Sequence, residues 1–452
     1  MAPGPGPKAG LLGRLDGRLA TSLLFFVSPL LSAAIPRLTW LFLPLIGVAL
    51  ILPALRHCSG WRALLTPDAY WTPFFLLAFY LFLNTTWAAD QPFALGSAAV
   101  FLGVSLIVCA ASRSVAYLPQ ALLHRAALAF AIGAFLGAFY LLFELLTDAS
   151  IVRMALNAID LLQRNAKHMV IFRGEVIEVK RSILDRNAAI VMFSLWPVLL
   201  VLTNLESRRR QLILGSAFFA LAAVTILLSE HDSSKVALIF SPLVFICAWF
   251  WPRATVVGLA AAWCLAFMLV LPAVFGAYKA ELHMAQWLPS SARHRVIIWE
   301  YTAERVPDHL WRGIGAASTP ALKPKRETAE KPAGFRFPRS TGEHAHDLFL
   351  QTWYELGVIG VILVAYAGAA TAIGIYLLPS VAVPFASAAF FVCVAIETFA
   401  WSVWQMWLMC AVGLLVIYLQ VAAQCHGPLH RTLALRSEHQ SKRIQKTTQV
   451  RM

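Results

Sequence analysis

The stretch EHAHDLFLQTWYELGVIG, Glu343 to Gly360, sets His344 and His346 at the foot of a long apolar run. An imidazole where water meets hydrocarbon can ligate a metal, take a proton, or merely end a loop. Metal ligation is the weakest of these, because residues two apart diverge on a helix and no third ligand of suitable type stands nearby. The base reading has a chemical footing: free imidazole titrates near roughly 6.5, so its neutral form can accept a hydroxyl proton close to neutral pH. In Arg293-His294-Arg295, Arg295 lies four residues before Trp299. That spacing puts the two on one helix face, so the ring can rest on a membrane while the guanidinium enters a cavity. Asp185-Arg186-Asn187 opens another apolar run. It is either a helix N-cap with interfacial charge or an arginine at headgroup depth, whose fork of donors can grip a lipid phosphate. Glu230-His231-Asp232, followed by Ser233, Ser234 and Lys235, reads as a solvated turn, with a metal site as the sharper alternative. Glu355 is a carboxylate near membrane depth, where charged groups face the bundle interior; it could orient His346 or pair with an arginine. Gly357 and Gly360, three apart, are expected to let helices approach closely.

The elements that must position these groups follow from composition. The chain has 452 residues, 59% of them hydrophobic and only 13% charged, with a net charge of +14. No soluble domain hides that much apolar surface, so an all-α polytopic membrane protein is expected. Twelve apolar runs read as spans: 21–35, 38–55, 71–86, 93–111, 121–146, 187–204, 211–229, 235–251, 254–275, 347–378, 383–400 and 402–423. Alternate short loops carry Arg56 and Arg62, Arg113, Arg208 to Arg210, and Arg253, whereas the intervening ones offer little beyond Arg37, Asp90 and the 230–232 group. The positive-inside rule then puts both termini in the cytoplasm. It leaves two long loops outside, 147–186 and 276–346, carrying net charges of +2 (seven basic, five acidic) and +4 (eleven basic, seven acidic). Persistent external cation suits an anionic partner or anionic lipid headgroups.

All seven cysteines fall in spans or on the cytoplasmic side, so no disulfide staples the external loops. A leader over 1–20, a bundle over 21–423 and a basic tail over 424–452 complete the organisation, with no internal repeat and no signal peptide evident. The first external loop begins with the amphipathic pattern IVRMALNAIDLLQRNAKHM, an expected interfacial helix, and VIFRGEVIEVKRS after it alternates as a small hairpin would. The second loop starts helically in SARHRVIIWEYTAERV and runs into TPALKPKRETAEKPAGFRFPRSTGE, whose prolines and charges predict a mobile lid.

These residues resemble the O-antigen ligases and their polymerase relatives. His346-Asp347, nine residues, Gly357, two residues, Gly360 is similar to that family's His-(Asn/Ser/Gln), nine residues, Gly-x-x-Gly signature, with Asp347 as the departure. Arg295-x-x-x-Trp299, then Pro307, His309 and Gly313-Ile314-Gly315, resembles its R-x-x-x-W…P…G-x-G element. Arg186-Asn187 and Ser234-Lys235 match two further elements more loosely. The matching motifs cover residues 185–360 and are shared by ligase and polymerase.

The resemblance implies a glycosyltransferase of the GT-C type at the periplasmic face of a Gram-negative inner membrane. It would move a polysaccharide from undecaprenyl diphosphate to a sugar hydroxyl of lipid A–core, with inversion, no cofactor and no metal. Under it His346 is the base and Arg186 and Arg295 grip the diphosphate, with Arg293 and Lys235 second in rank. Asn187, Trp299, Asp347, Gln351, Glu355, Gly357 and Gly360 support them. Partners would be the two lipid-linked glycans and membrane lipid, not nucleic acid. From another class, a transporter would carry ionisable groups near mid-membrane and often a repeat; here the polar groups gather at one boundary, which favours interfacial chemistry.

Overall fold

The protein is described by a computed structural model over residues 17–66, 68–159, 169–322 and 339–427. Residues 1–16 of the leader, Pro67, the far half of the expected interfacial helix, the Pro-rich segment 323–338 that is a candidate lid, and the tail after 427 lie outside the described residues. Backbone groups in hydrocarbon need partners within the segment, and every apolar run accordingly becomes helix. In chain order these are α1 (Gly17–Ala34), α2 (Thr39–Ala54), α3 (Trp61–Leu65), α4 (Thr72–Asn84), α5 (Gln91–Ser114), α6 (Gln120–Leu146), α7 (Ser150–Ala158) and α8 (Asp185–Leu202). There follow α9 (Arg208–Leu228), α10 (Asp232–Phe250), α11 (Pro252–Lys279), α12 (Ser290–Ala303), α13 (Leu348–Ile375), α14 (Ala382–Phe399) and α15 (Met406–Gln424).

Among the described residues ten helices are long and apolar enough to cross a membrane, against twelve runs expected. The two others are α1, whose apolar part is Leu19–Ala34, and α4, with 13 residues. At about 1.5 Å per residue α4 reaches roughly 20 Å, short of a hydrocarbon core of about 30 Å. The outer helix faces show Phe79, Leu243, Phe250, Ile362 and Met268, as lipid contact requires. α8 is the most enclosed of the ten, 78% of its apolar window being buried, so its head is held on several sides. Helices α14, α15, α6, α9 and α1 pack on it, and elsewhere α1 packs on α6, α10 on α14, and α11 on α13.

The expected hairpin is present: β1 (Met169–Phe172) pairs antiparallel with β2 (Glu175–Val179), Met169 opposite Val179. Its turn, Arg173-Gly174, has φ of 51° and 86°, the primed geometry that matches strand twist. Asn157 at the end of α7 accepts from Val176 N at 2.7 Å, tying α7 to the hairpin.

Successive antiparallel helices leave two dissimilar ends. One carries the basic short loops with Arg56, Arg62, Arg113, Arg208 to Arg210 and Arg253, and there Thr203 meets His426 at 3.0 Å. The other carries the α1–α2 turn, the heads of α8, α10 and α13, the α12 region and the α14–α15 connection, and every polar group singled out above lies there.

Candidate active site

The head of α13 is built by the residues just before it. Asp347 caps the helix, its Oδ1 accepting from Leu350 N at 2.9 Å. An asparagine or serine oxygen could make the same bond, which is why Asp347 keeps the motif's geometry. His346, one residue earlier, has φ of 52°, a left-handed conformation costing of order 1–2 kcal/mol for a residue with a Cβ. Two bonds hold it there. Its backbone N–H donates to Nδ1 of His344 at 3.2 Å, and its ring Nδ1 lies 3.0 Å from Ala400 O. A carbonyl can only accept, so the proton sits on Nδ1 of His346 and Nε2 carries the free lone pair. Burial pushes the ring down to about 4; the Ala400 carbonyl opposes this, while the charges of Arg295 and His294 add to it. His346 is therefore neutral at physiological pH. His344, buried and 3.8 Å from it between ring centroids, is pushed by burial to about 3.

Arg295 on α12 is the cation these groups share. Its charge reaches His346, His344, His294 and His231, and Asp232 faces it in turn. Arg293 on the same helix keeps its Nε buried with no protein partner. Trp299 does not rest on the membrane as the spacing suggested: it packs against the cluster of Trp263, Phe267, Phe349 and Leu350, because α12 lies on α11 and α13. Lys235 forms an exposed contact with Asp232 at 3.5 Å, a pairing of little energy.

The 230–232 turn is not simply solvated. His231 is buried, its Nδ1 2.6 Å from Ser234 Oγ and its ring stacked on Trp401 at 4.7 Å. Glu230 and Asp232 stay exposed. Among the described residues no group of three or more His, Cys, Asp or Glu side chains is arranged to hold a metal ion.

On α8, Arg186 lies over the Trp407 ring at 5.8 Å with its Nε buried and unpartnered. Asn187 beside it turns the other way, its Nδ2 donating to Ala33 O at 2.7 Å and Ala34 O at 2.9 Å. It is a staple between α8 and α1.

Among the described residues no arginine forms an ion pair with Glu355, and its hydrogen bonds go to groups other than His346. Thr319 Oγ1 at 2.5 Å, Thr319 N, Ala317 N, Gln351 Nε2 at 3.1 Å and Trp404 Nε1 all donate to it. A buried carboxylate needs that many donors, and here they tie the second external loop to α13 and to the α14–α15 connection.

The glycines have a different partner from the one expected. Gly357, at φ 65° and ψ −169°, breaks α13. A Cβ there would lie 2.5 Å from Arg312 N and Trp311 C. The segment Leu310 to Gly315 threads the break: Ile314 N and Gly315 N bond to Tyr354 O and Glu355 O at 3.1 and 2.9 Å. Val358 N and Ile359 N in turn bond to Leu310 O and Trp311 O at 2.8 and 3.4 Å. A broken helix thus recovers its backbone bonds from a loop, as membrane depth demands. Gly313 is glycine for the same reason, since a Cβ would lie 2.2 Å from Glu355 C and O. Gly360 instead makes room for the Leu356 side chain of its own helix. The two motifs are therefore the halves of one interlock, and neither glycine seats a neighbouring helix.

One segment went unread in the sequence. Residues 400–407, AWSVWQMW, join α14 to α15. Ala400 O accepts the hydrogen bond from His346 Nδ1, Trp401 stacks on His231, Ser402 Oγ lies 3.0 Å from Gln351 Nε2, Trp404 donates to Glu355, and Trp407 lies under Arg186. Five singled-out residues from three parts of the chain meet on these eight. Three tryptophans in eight residues at a span boundary were the available signal. It was hidden because 383–423 reads as nearly continuous apolar sequence. Buried side-chain atoms without a hydrogen-bond partner among the described residues lie on Arg186, Arg293, His231, Trp299 and Gln351, and a polar ligand would satisfy them.

Residues 217–365 match the model of the O-antigen ligase family. The match contains Lys235, Arg293, Arg295, Trp299, His346, Asp347, Gln351, Glu355, Gly357 and Gly360, and stops short of Arg186 and of the 400–407 segment. No curated protein matches the chain significantly.

Proposed function

We propose, starting from the O-antigen ligase family identity of residues 217–365, that this membrane protein transfers a polysaccharide from undecaprenyl diphosphate to a sugar hydroxyl of lipid A–core. The observation that carries this reading is the state of His346: Ala400 holds its Nδ1 proton, burial keeps it neutral, and Nε2 is left to take a proton beside Arg295.

In the reaction the acceptor hydroxyl oxygen attacks the anomeric carbon as its proton passes to Nε2 of His346. The bond from that carbon to the diphosphate oxygen breaks, and the electron pair leaves with the diphosphate. Attack from the face opposite the leaving group inverts the anomeric carbon. The leaving group is already good, so the protein's main task is to meet the charge that grows on it. Arg295 and Arg186 do this, with Arg293 and Lys235 in support, through donors fixed before reaction begins. A diphosphate beside Arg295 also cancels the cationic field that depresses His346, which raises the basicity of the imidazole when the donor is bound. Neither step calls for a divalent cation, and exhaustive chelation is expected to leave transfer intact.

The basic short loops at the opposite end support a cytoplasmic assignment there and a periplasmic site, in an inner-membrane enzyme of GT-C type. The test uses purified protein reconstituted with lipid-linked polysaccharide and lipid A–core. Capping of the core is expected. Elongation of the lipid-linked glycan without capping would instead make the protein an O-antigen polymerase, which the same site chemistry accommodates. Neither product would defeat both readings.

A further inference from the structure

Arg37 stands alone as a basic residue in the short loops at the site end of the bundle. It sits in the three-residue turn Pro36–Leu38 between α1 and α2, and both flanks of that turn are fastened. Asn187 holds Ala33 O and Ala34 O before it, and Thr39 Oγ1 after it donates to Trp407 O at 2.7 Å. The two anchors are the residue next to Arg186 and the tryptophan under Arg186. The turn bearing Arg37 is thereby fastened beside Arg186, close enough for the two charges to repel. Its side chain is exposed, and among the described residues no carboxylate forms an ion pair with it.

Two guanidinium groups brought near each other by a stapled backbone are a costly pair without an anion and a preorganised one with it. A diphosphate, with at least two negative charges over several oxygens, uses both forks; a monoester phosphate uses one. We infer that Arg37 and Arg186 form a two-arginine clamp on the lipid-linked diphosphate, with Arg37 the residue that favours diphosphate over monophosphate. This rests on the donor proposed above.

The test is binding to the purified full-length protein in detergent, measured by thermophoresis with undecaprenyl diphosphate, undecaprenyl phosphate and phosphatidylglycerol as separate probes. Arg37→Ala is expected to weaken undecaprenyl diphosphate about tenfold or more, from the loss of charged hydrogen bonds. Undecaprenyl phosphate and phosphatidylglycerol should shift less than about threefold, and Arg37→Lys should fall between. Equal elution and melting of the variants guards against misfolding. Unchanged diphosphate binding in Arg37→Ala, with binding lost in Arg186→Ala, overturns the role of Arg37 alone. An equal loss toward phosphatidylglycerol overturns it too, making Arg37 a headgroup contact. Unchanged binding in both variants overturns the diphosphate reading and the clamp with it.

Discussion

A carbonyl oxygen has no proton to give, so the contact between Ala400 and His346 decides where the imidazole keeps its own. The consequence can be measured as a pH profile. With the free-enzyme ring near about 4, kcat/KM should stay flat from pH 8 down to about 5 and fall only as His346 protonates below that. A midpoint near 6.5, the ordinary value, would contradict the burial argument. His344 acts through His346, as the acceptor that holds its left-handed backbone. His344→Ala should lower kcat roughly tenfold with donor KM little changed, and His344→Asn, which keeps an acceptor, should recover part of it. Asp347 gives a cleaner sign. Burial raises its carboxyl to about 6, so the folded state binds the proton more tightly than the unfolded chain, where it titrates near roughly 3.9. That group therefore destabilises the fold above pH 6, and the penalty fades as pH falls from 6 to 4. Asp347→Asn keeps the cap without the charge, and should melt at an equal or higher temperature at pH 7 while remaining active. Asp347→Ala should lose about 1 kcal/mol.

Helix breaks in a membrane must be repaired, and at Gly357 the repair comes from the loop 310–315. Gly357→Ala meets Arg312 N and Trp311 C at 2.5 Å and forces a side chain into φ 65°. It should cost several kcal/mol, release the loop to limited proteolysis and abolish transfer. Gly103→Ala on α5 is the matched control, since nothing lies within 4 Å of its added Cβ; it should be neutral or slightly stabilising. The sequence made the spacing of these glycines plain but not their partner. Spacing reports where a Cβ is unwelcome, and only the fold says whether helix, loop or own side chain excludes it. The AWSVWQMW segment was illegible for a related reason. Its tryptophans count as apolar in any window, while their use here depends on edges and faces that meet His231, Glu355 and Arg186. His346 stood out through its spacing to Gly357 and Gly360, Arg295 through its spacing to Trp299, and Arg186 through its place at the head of an apolar run.

Across the whole molecule, charge and chemistry separate to opposite ends. Twelve apolar runs were readable because lipid imposes one solution, helix, on each. One of them, α4, falls short of a full crossing because the hydropathy run 71–86 takes in the turns on either side of a 13-residue helix. The separation predicts orientation. Asp308→Cys, at the site end, should be labelled by an impermeant maleimide in intact spheroplasts. Ser207→Cys, beside the basic Arg208 to Arg210 turn, should be labelled only after lysis. The reverse pattern would put the site on the wrong face for a periplasmic donor.

The most direct test is single-turnover transfer by His346→Ala in liposomes carrying lipid-linked polysaccharide and lipid A–core. A positioned general base is worth about 10²–10⁴ in rate, so the rate should fall by at least about a hundredfold while undecaprenyl diphosphate binds as it does to wild type. Transfer at the wild-type rate would show that His346 is not the base.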